Sequence, residues 1–291
     1  MLAIKEQPIK DAIIRSSPSF FLQWFFPIIE NLRDYQANWH VHVMSHSLME
    51  LYEGQTKRLI VNAPPRSLKT STCTTFYIAW LLGRDPALQI ILATYSDEFA
   101  ESLGNRIRAI MRHPEYKRIF GDTRLLNEQA KSTRLRTHKG GSVVVTSFHS
   151  MMTGLGADYI IVDDPLQTNE VRSETKMADI KNRFKEGLYT RLNDPKVGRI
   201  LLVMQRIHPD DLTGLLLTHG GFKHLKLPIQ FQEEVTYDQP FGKTYKTHVG
   251  EFLDPARFDE AEIAHTRAML GEAAFAAQYM QDPIYPANDL V

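Results

Sequence analysis

A chain of 291 residues, 43% hydrophobic and 23% charged, is long enough for one large α/β domain or a core domain with a small appendage, and its composition excludes a disordered chain. With 16 Gly, 15 Pro and no internal repeat it is neither collagenous nor a coiled coil. The 34 Lys and Arg balance 34 Asp and Glu, so nucleic-acid contact has to come from a local basic patch; the single Cys73 excludes an internal disulfide and a Cys-based zinc site and points to a reducing compartment.

The first apolar stretch, Phe20 to Ile29, contains Gln23 and Pro27 and is about half as long as a bilayer span requires, so no membrane partner is expected. Lys5, Glu6, Lys10 and Asp11 mix both signs ahead of it and no small-residue cleavage site follows, which argues against a signal peptide. Phe21, Trp24, Phe25 and Ile28 fall at helical spacing and predict an amphipathic helix packed on the core. Beyond residue 55, short β-rich runs alternate with helical patterns. Strands are expected over Arg58 to Asn62, Gln89 to Thr94, Ser142 to Ser147, Tyr159 to Asp163 and Arg199 to Met204, all nearly apolar throughout, as in a parallel sheet covered on both faces. Helices are expected over Lys69 to Leu82, Asp97 to Met111, Ser173 to Arg191 and Pro209 to Thr218, and a hairpin over Thr133 to Thr137 and Ser142 to Ser147, split by Lys139-Gly140-Gly141. Residues 228 to 256 lose periodicity and gather Pro228, Pro240, Gly242, Gly250 and Pro255, which predicts a long excursion or linker. A last helical pattern follows Asp259, and Asp282-Pro283-Ile284-Tyr285-Pro286 reads as an entrance to another segment.

Arg58 to Ser71, RLIVNAPPRSLKTS, is a buried-strand pattern followed by a loop and a helix. Lys69-Thr70 stands where a P-loop places its phosphate lysine and magnesium-binding hydroxyl, and loop N–H groups with a helix N-terminus concentrate positive potential on phosphates. Ala63 and Leu68 replace the usual glycines, and Pro64 and Pro65 donate no N–H. Tyr159 to Asp164 is an apolar strand ending in two carboxylates, the form of a Walker B motif: one acid holds the water shell of magnesium and the other orients or deprotonates the attacking water. A helix cap at Asp164-Pro165 is the competing structural reading. Gln205-Arg206-Ile207-His208 ends a third strand; it reads as a γ-phosphate sensor, or else as a surface loop whose Arg206 pairs with Asp210 or Asp211.

The stretches APPRSLKTS, ATYSDEFAESLGNRIR, TGLGADYIIVDDP and VMQRIHPDDLTG resemble, in order and spacing, the ATPase region of the large terminase subunits of tailed bacteriophages, over roughly residues 36 to 286. The resemblance implies an α/β, ASCE-type P-loop NTPase with a mostly parallel sheet and an N-terminal helical segment. It divides the chain into a helical, adenine-side segment at 1–55, an ATPase core at 56–227 and a linker or lid at 228–291. It also implies ATP and Mg2+ as cofactors, hydrolysis coupled to moving double-stranded DNA into a procapsid, and a portal protein, a small terminase subunit and a homo-oligomeric ring as partners in the host cytoplasm. By the same resemblance Arg66 is the Walker A arginine, Lys69 the phosphate lysine and Thr70 the magnesium hydroxyl, within a nucleotide-binding loop that includes Ser67, Leu68 and Ser71. Asp163 is the magnesium carboxylate, Asp164 the catalytic one, and Gln205-Arg206 the coupling element. Trp39-His40 matches an adenine-side motif, for which a core tryptophan is an equal account. Leu155, between Gly154 and Gly156, stands where relatives often carry an arginine, so no finger from a neighbouring subunit is assigned there. Relatives continue into an RNase H-like nuclease domain; none is expected here, nor any DNA cleavage, since Asp238, Asp254 and Asp259 are scattered through turn-like sequence.

The densest basic run is Lys131, Arg134, Arg136, His138 and Lys139, which reads either as a hairpin tracking phosphates or as a solvated surface. Arg106, Arg108 and Arg112 follow on one helix and suit DNA or a neighbouring subunit. A helicase-like remodelling ATPase and an assembly subunit that binds nucleotide without turnover are the rival functions, separated by strand-separation activity and by failure to release phosphate.

Overall fold

The computed structural model describes residues 6–32, 35, 37–126, 133–150, 154–170 and 173–285. Three helices lead the chain: α1 (Glu6–Ser16), α2 (Pro18–Ile29) and α3 (Trp39–Glu53). The Ser17 side chain accepts the Ser19 N–H to start α2, with Pro18 in its first turn, and Asn38 accepts from Trp39 to start α3, which Gly54 closes at φ 81°. In α2 Phe21, Leu22, Phe25 and Phe26 are buried, as the helical spacing predicts. No helix among the described residues is long and apolar enough to cross a membrane.

Then come β1 (Arg58–Asn62), a π-helical turn at Ser71–Phe76 running into α4 (Tyr77–Arg84), β2 (Gln89–Thr94), α5 (Asp97–Arg112), α6 (Pro114–Ile119), β3 (Arg134–Arg136), β4 (Ser142–Ser147), β5 (Tyr159–Asp163) and α7 (Glu174–Asn182). The helix expected over 173–191 is therefore broken, since a π turn at Arg183–Leu188 and a 3₁₀ turn at Tyr189–Arg191 continue α7. β6 (Arg199–Met204), α8 (Leu212–His219) and β7 (Lys223–Lys226) complete the core. The stretch expected to be irregular holds a hairpin of β8 (Thr236–Gln239) and β9 (Lys243–Lys246), and α9 (Glu260–Leu270) and α10 (Glu272–Gln278) follow.

The main sheet has seven strands in the order β3-β4-β2-β5-β6-β1-β7. Every pairing is parallel except β3 with β4, the expected hairpin. Alternate residues enter two cores. Leu59, Val61, Ile90, Leu92, Ile161, Leu201 and Val203 face the larger one with α2 to α5, whereas Ile60, Ile91, Ile160, Val162, Ile200 and Leu202 face a second one with Ile180, Phe184 and Leu216. That two-sided burial is why these strands read as unbroken apolar runs. The seventh strand, KHLK, gives no such signal because it is an edge strand whose lysines reach solvent.

Candidate active site

The carboxyl ends of β1 and β5, one strand apart, carry the two motifs, and β6 between them carries the third. Pro64 to Leu68 cross from β1 to the helix without a glycine, and Arg66 and Leu68 take the left-handed conformation, at φ 65° and 63°. Leu68 thus adopts the geometry that a glycine supplies elsewhere, at a steric cost of about 1–2 kcal/mol. Three contacts over-determine the loop. The Ser67 hydroxyl donates to the Pro64 carbonyl at 2.7 Å, His40 Nε2 donates to the Ser67 carbonyl at 3.2 Å, and Arg257 donates to the Arg66 carbonyl at 3.0 Å. Leu68 also packs against the larger core. Its carbonyl accepts the Thr72 N–H at 2.8 Å, so the helix starts directly behind the loop, and its first-turn N–H groups have no partner within the helix.

The sequence-predicted side chains meet here. Thr70 Oγ1 donates to Asp163 Oδ1 at 3.1 Å, and Lys69 Nζ lies 3.4 Å from Asp164 Oδ2. Asp163 is fully buried, and its Oδ2 has no hydrogen-bond partner. Burial, reinforced by the negative charge of Asp164 and opposed by Lys69, drives the Asp163 carboxyl well above the ordinary carboxylate range. Among the described residues no group of three His, Cys, Asp or Glu could hold a metal unaided. One hydroxyl and one buried carboxylate with an unsatisfied oxygen fit a magnesium ion that takes its other ligands from phosphate and water. Asp164 has φ 42°, an uncommon conformation for a non-glycine residue, and its Oδ1 accepts the Gln205 N–H at 3.2 Å.

Arg206 fits neither sequence reading in full. Its guanidinium is buried and donates through Nε to both Asp211 oxygens, at 3.1 and 2.9 Å, and through Nη2 to the His208 and Pro209 carbonyls. The pair with Asp211 is thus an interior one, not an exposed one, and Asp211 also caps α8 by accepting from Gly214 at 2.9 Å. Trp39 stacks on Tyr245 of the β8–β9 hairpin, with centroids 4.2 Å apart and planes 7° apart, and meets Phe231 and Tyr237. That face of the indole is spent on packing, as the core-tryptophan account expects. Ser71 is buried at the first helical turn, where its carbonyl accepts from Thr75.

Sequence reasoning missed His40's hold on the loop carbonyl, Arg257, and Tyr95, whose hydroxyl is pushed up by burial and then by the charge of Asp164. Arg257 and the loop it holds are 191 residues apart, a separation no local pattern reveals. Leu155 packs against the second core, in a small cavity with Ile91, Val144 and Leu188. Of the basic candidates, Arg108, Arg134 and Arg136 line one shallow groove with Arg112. Arg106 is drawn away into an ion pair with Glu30 at 2.5 Å and lies over Phe76. Lys139 is exposed at the hairpin turn, and Lys131 lies outside the described residues. The register of β4 on β2, Ser142 opposite Gln89, puts that turn at the end of the sheet opposite the two acids.

No protein-family model matches the sequence. The large terminase subunit of Enterobacteria phage T3 is 23% identical over 252 residues, which cover 80% of this chain and 42% of the relative, so the chain spans less than half of that protein's length. The ATPase domain of the Thermus phage P74-26 large terminase, solved as a point mutant, superposes with a TM-score of 0.55 at 13% identity, covering 89% of this chain and 98% of that one. The large terminase of the thermophilic bacteriophage D6E superposes with a TM-score of 0.50 at 10% identity over 82% of this chain and 52% of its own length. Over 89% of its length the chain has the fold of the large-terminase ATPase domain.

Proposed function

We propose that this chain is the ATP-hydrolysing part of a phage packaging motor, which draws double-stranded DNA into a procapsid within the host cytoplasm. The observation that carries it is the meeting of Lys69, Thr70, Asp163 and Asp164 at the carboxyl ends of β1 and β5, where the loop after β1 runs directly into a helix N-terminus. Similarity to the phage T3 large terminase supports the packaging role.

In this reading Ser67 to Ser71 cradle the β- and γ-phosphates, Arg66 adds charge from the rim, and Thr70 and Asp163 hold magnesium. A magnesium ion held there would supply neutralisation of charge on the phosphate oxygens. Lys69 is shared: an incoming γ-phosphate competes with Asp164 for its ammonium, and Asp164 is released to orient the attacking water. As the water oxygen bonds to the γ-phosphorus, its proton passes to Asp164; the bond from that phosphorus to the bridging oxygen breaks, and ADP leaves. Gln205 holds Asp164 from behind, and Arg206, locked to Asp211, keeps Gln205 in place. His40, with Trp39 beside it at the N-terminus of α3, supports the adenine side of the loop through the Ser67 carbonyl.

The groove of Arg108, Arg112, Arg134 and Arg136, with Lys139 nearby along the hairpin and Lys131 in its sequence neighbourhood, is the proposed DNA path. A portal protein, a small terminase subunit and further copies in a ring are the partners such a motor requires. Phosphate release by wild type and Lys69→Ala tests the reading. Turnover abolished by the substitution supports it; equal turnover places the chemistry elsewhere.

A further inference from the structure

The loop behind the catalytic carboxylate is gripped from two sides by consecutive backbone amides. The Gln205 N–H donates to Asp164 Oδ1 at 3.2 Å, and the next amide, Arg206 N–H, donates to the side-chain Oε1 of Gln281 at 2.9 Å. Gln281 is 75 residues away in sequence, only 1% exposed and at φ 56°. A buried, non-glycine residue in that region is strained unless its surroundings fix it, and strain of this kind gathers at functional positions. Its surroundings do fix it. Gln281 Nε2 donates to the Gln278 carbonyl at the end of α10, Tyr279 accepts from Ile229, and the Asp282 N–H donates to Ala276. The same C-terminal region reaches the other side of the pocket, where Arg257 donates to Arg66.

We propose that Gln281 is a positioning residue for the reaction, which places Asp164 through the Gln205–Arg206 amides and makes hydrolysis sensitive to the setting of α9 and α10. The inference rests on the ATPase reading above. Its chemistry is simple: without an acceptor at position 281 the buried Arg206 N–H is unpaired, the 205–206 turn rotates to satisfy it, and Asp164 loses the donor that aims its second oxygen. Gln281 makes its side-chain hydrogen bonds to Arg206 and Gln278 rather than to the phosphate loop among the described residues, so the effect falls on turnover rather than on affinity.

The test compares Gln281→Met, similar in size but without the acceptor, with Gln281→Glu, which restores an oxygen at the same place. Steady-state turnover, nucleotide affinity and amide hydrogen exchange are read on the full chain. Gln281→Met should lower kcat by about tenfold or more with nucleotide affinity within about twofold, and Gln281→Glu should recover part of the loss. Exchange at the Gln205 and Arg206 amides should rise in Gln281→Met, with the 66–71 amides unchanged. Unchanged kcat, parallel loss of affinity and kcat in both variants, or unchanged exchange at residues 205 and 206 would each overturn the proposal. Wild-type protein that shows no turnover would instead count against the ATPase reading, whereas unchanged exchange at residues 205 and 206 in Gln281→Met would count against the hold of Gln281 on that turn.

Discussion

Leu68 shows how a residue absent from a motif's usual pattern can still serve it. A glycine-free P-loop is costly in isolation, yet the Ser67, His40 and Arg257 contacts hold Arg66 and Leu68 left-handed, and Leu68 returns apolar burial that a glycine would not. Leu68 is partly buried, so it contributes less than the about 1.5–3 kcal/mol of a fully buried side chain, which offsets the roughly 1–2 kcal/mol of strain. Leu68→Gly should therefore change stability by less than about 1 kcal/mol in denaturant unfolding. His40 adds a pH dependence. Burial pushes its imidazole down to about 4, so it is neutral in the folded protein while the unfolded chain takes up a proton near its ordinary value of about 6.5. Stability from this residue is therefore complete above about pH 6.5 and falls as the pH drops toward about 4, at up to about 1.4 kcal/mol per pH unit. Unfolding free energies over that interval should show the slope, and His40→Gln should flatten it. The motif residues Lys69, Thr70, Asp163 and Asp164 were legible because each lies within a few residues of a strand end; His40, Arg257 and Gln281 were not, because their partners are distant in sequence.

At the scale of elements, apolar runs located five of the seven core strands to the residue because those strands are covered on both faces. The edge strand β7 escaped for the opposite reason, and the β8–β9 hairpin escaped because its alternation is polar and its packing depends on Trp39 of a remote helix. Arg206 and Asp211 illustrate a limit of spacing arguments: the pairing was foreseen, its burial was not, and burial changes the energetics. Asp211 accepts from Arg206, Ile207 and Gly214 while almost wholly enclosed, with its side chain 1% exposed. Removing one partner of such a pair leaves an uncompensated buried charge, so Asp211→Ala should destabilise by about 3–5 kcal/mol in urea unfolding. A loss below about 1 kcal/mol, typical of a surface pair, would contradict the enclosed geometry.

Across the whole molecule, the proposed nucleotide site and the basic turn sit at opposite ends of one sheet, so Arg136 and Lys139 lie at the end away from Lys69, Thr70, Asp163 and Asp164. If the Arg108, Arg112, Arg134 and Arg136 groove carries duplex, replacing Arg134 and Arg136 together should weaken binding to all sequences alike and reduce the slope of log affinity against log salt by about 2. A changed sequence preference with an unchanged slope would argue for base readout instead. The proposed ring would give the same residues a second role. Phosphoryl transfer gains strongly from an arginine set against the γ-phosphate, and in the proposed ring Arg108, Arg134 and Arg136, which line one groove, are the candidates to supply one to a neighbour. Mixing a subunit that lacks its candidate arginine with Lys69→Ala subunits should restore turnover absent from either alone; no recovery for any of the three, in preparations that form rings, would exclude donation across the interface.

In the proposed reaction Asp164 acts on the attacking water while Lys69, Thr70 and Asp163 hold the nucleotide, and ATP binding and phosphate release measured in one preparation of Asp164→Asn separate the two roles. An amide keeps the shape of the carboxylate and its contact with the Gln205 N–H but takes no proton. Nucleotide affinity should stay near that of wild type while hydrolysis falls by about 10²–10⁴-fold, the range that general base catalysis spans. Equal loss of binding and hydrolysis would instead make Asp164 a structural cap or a direct metal ligand and would contradict the division of labour between the two acids.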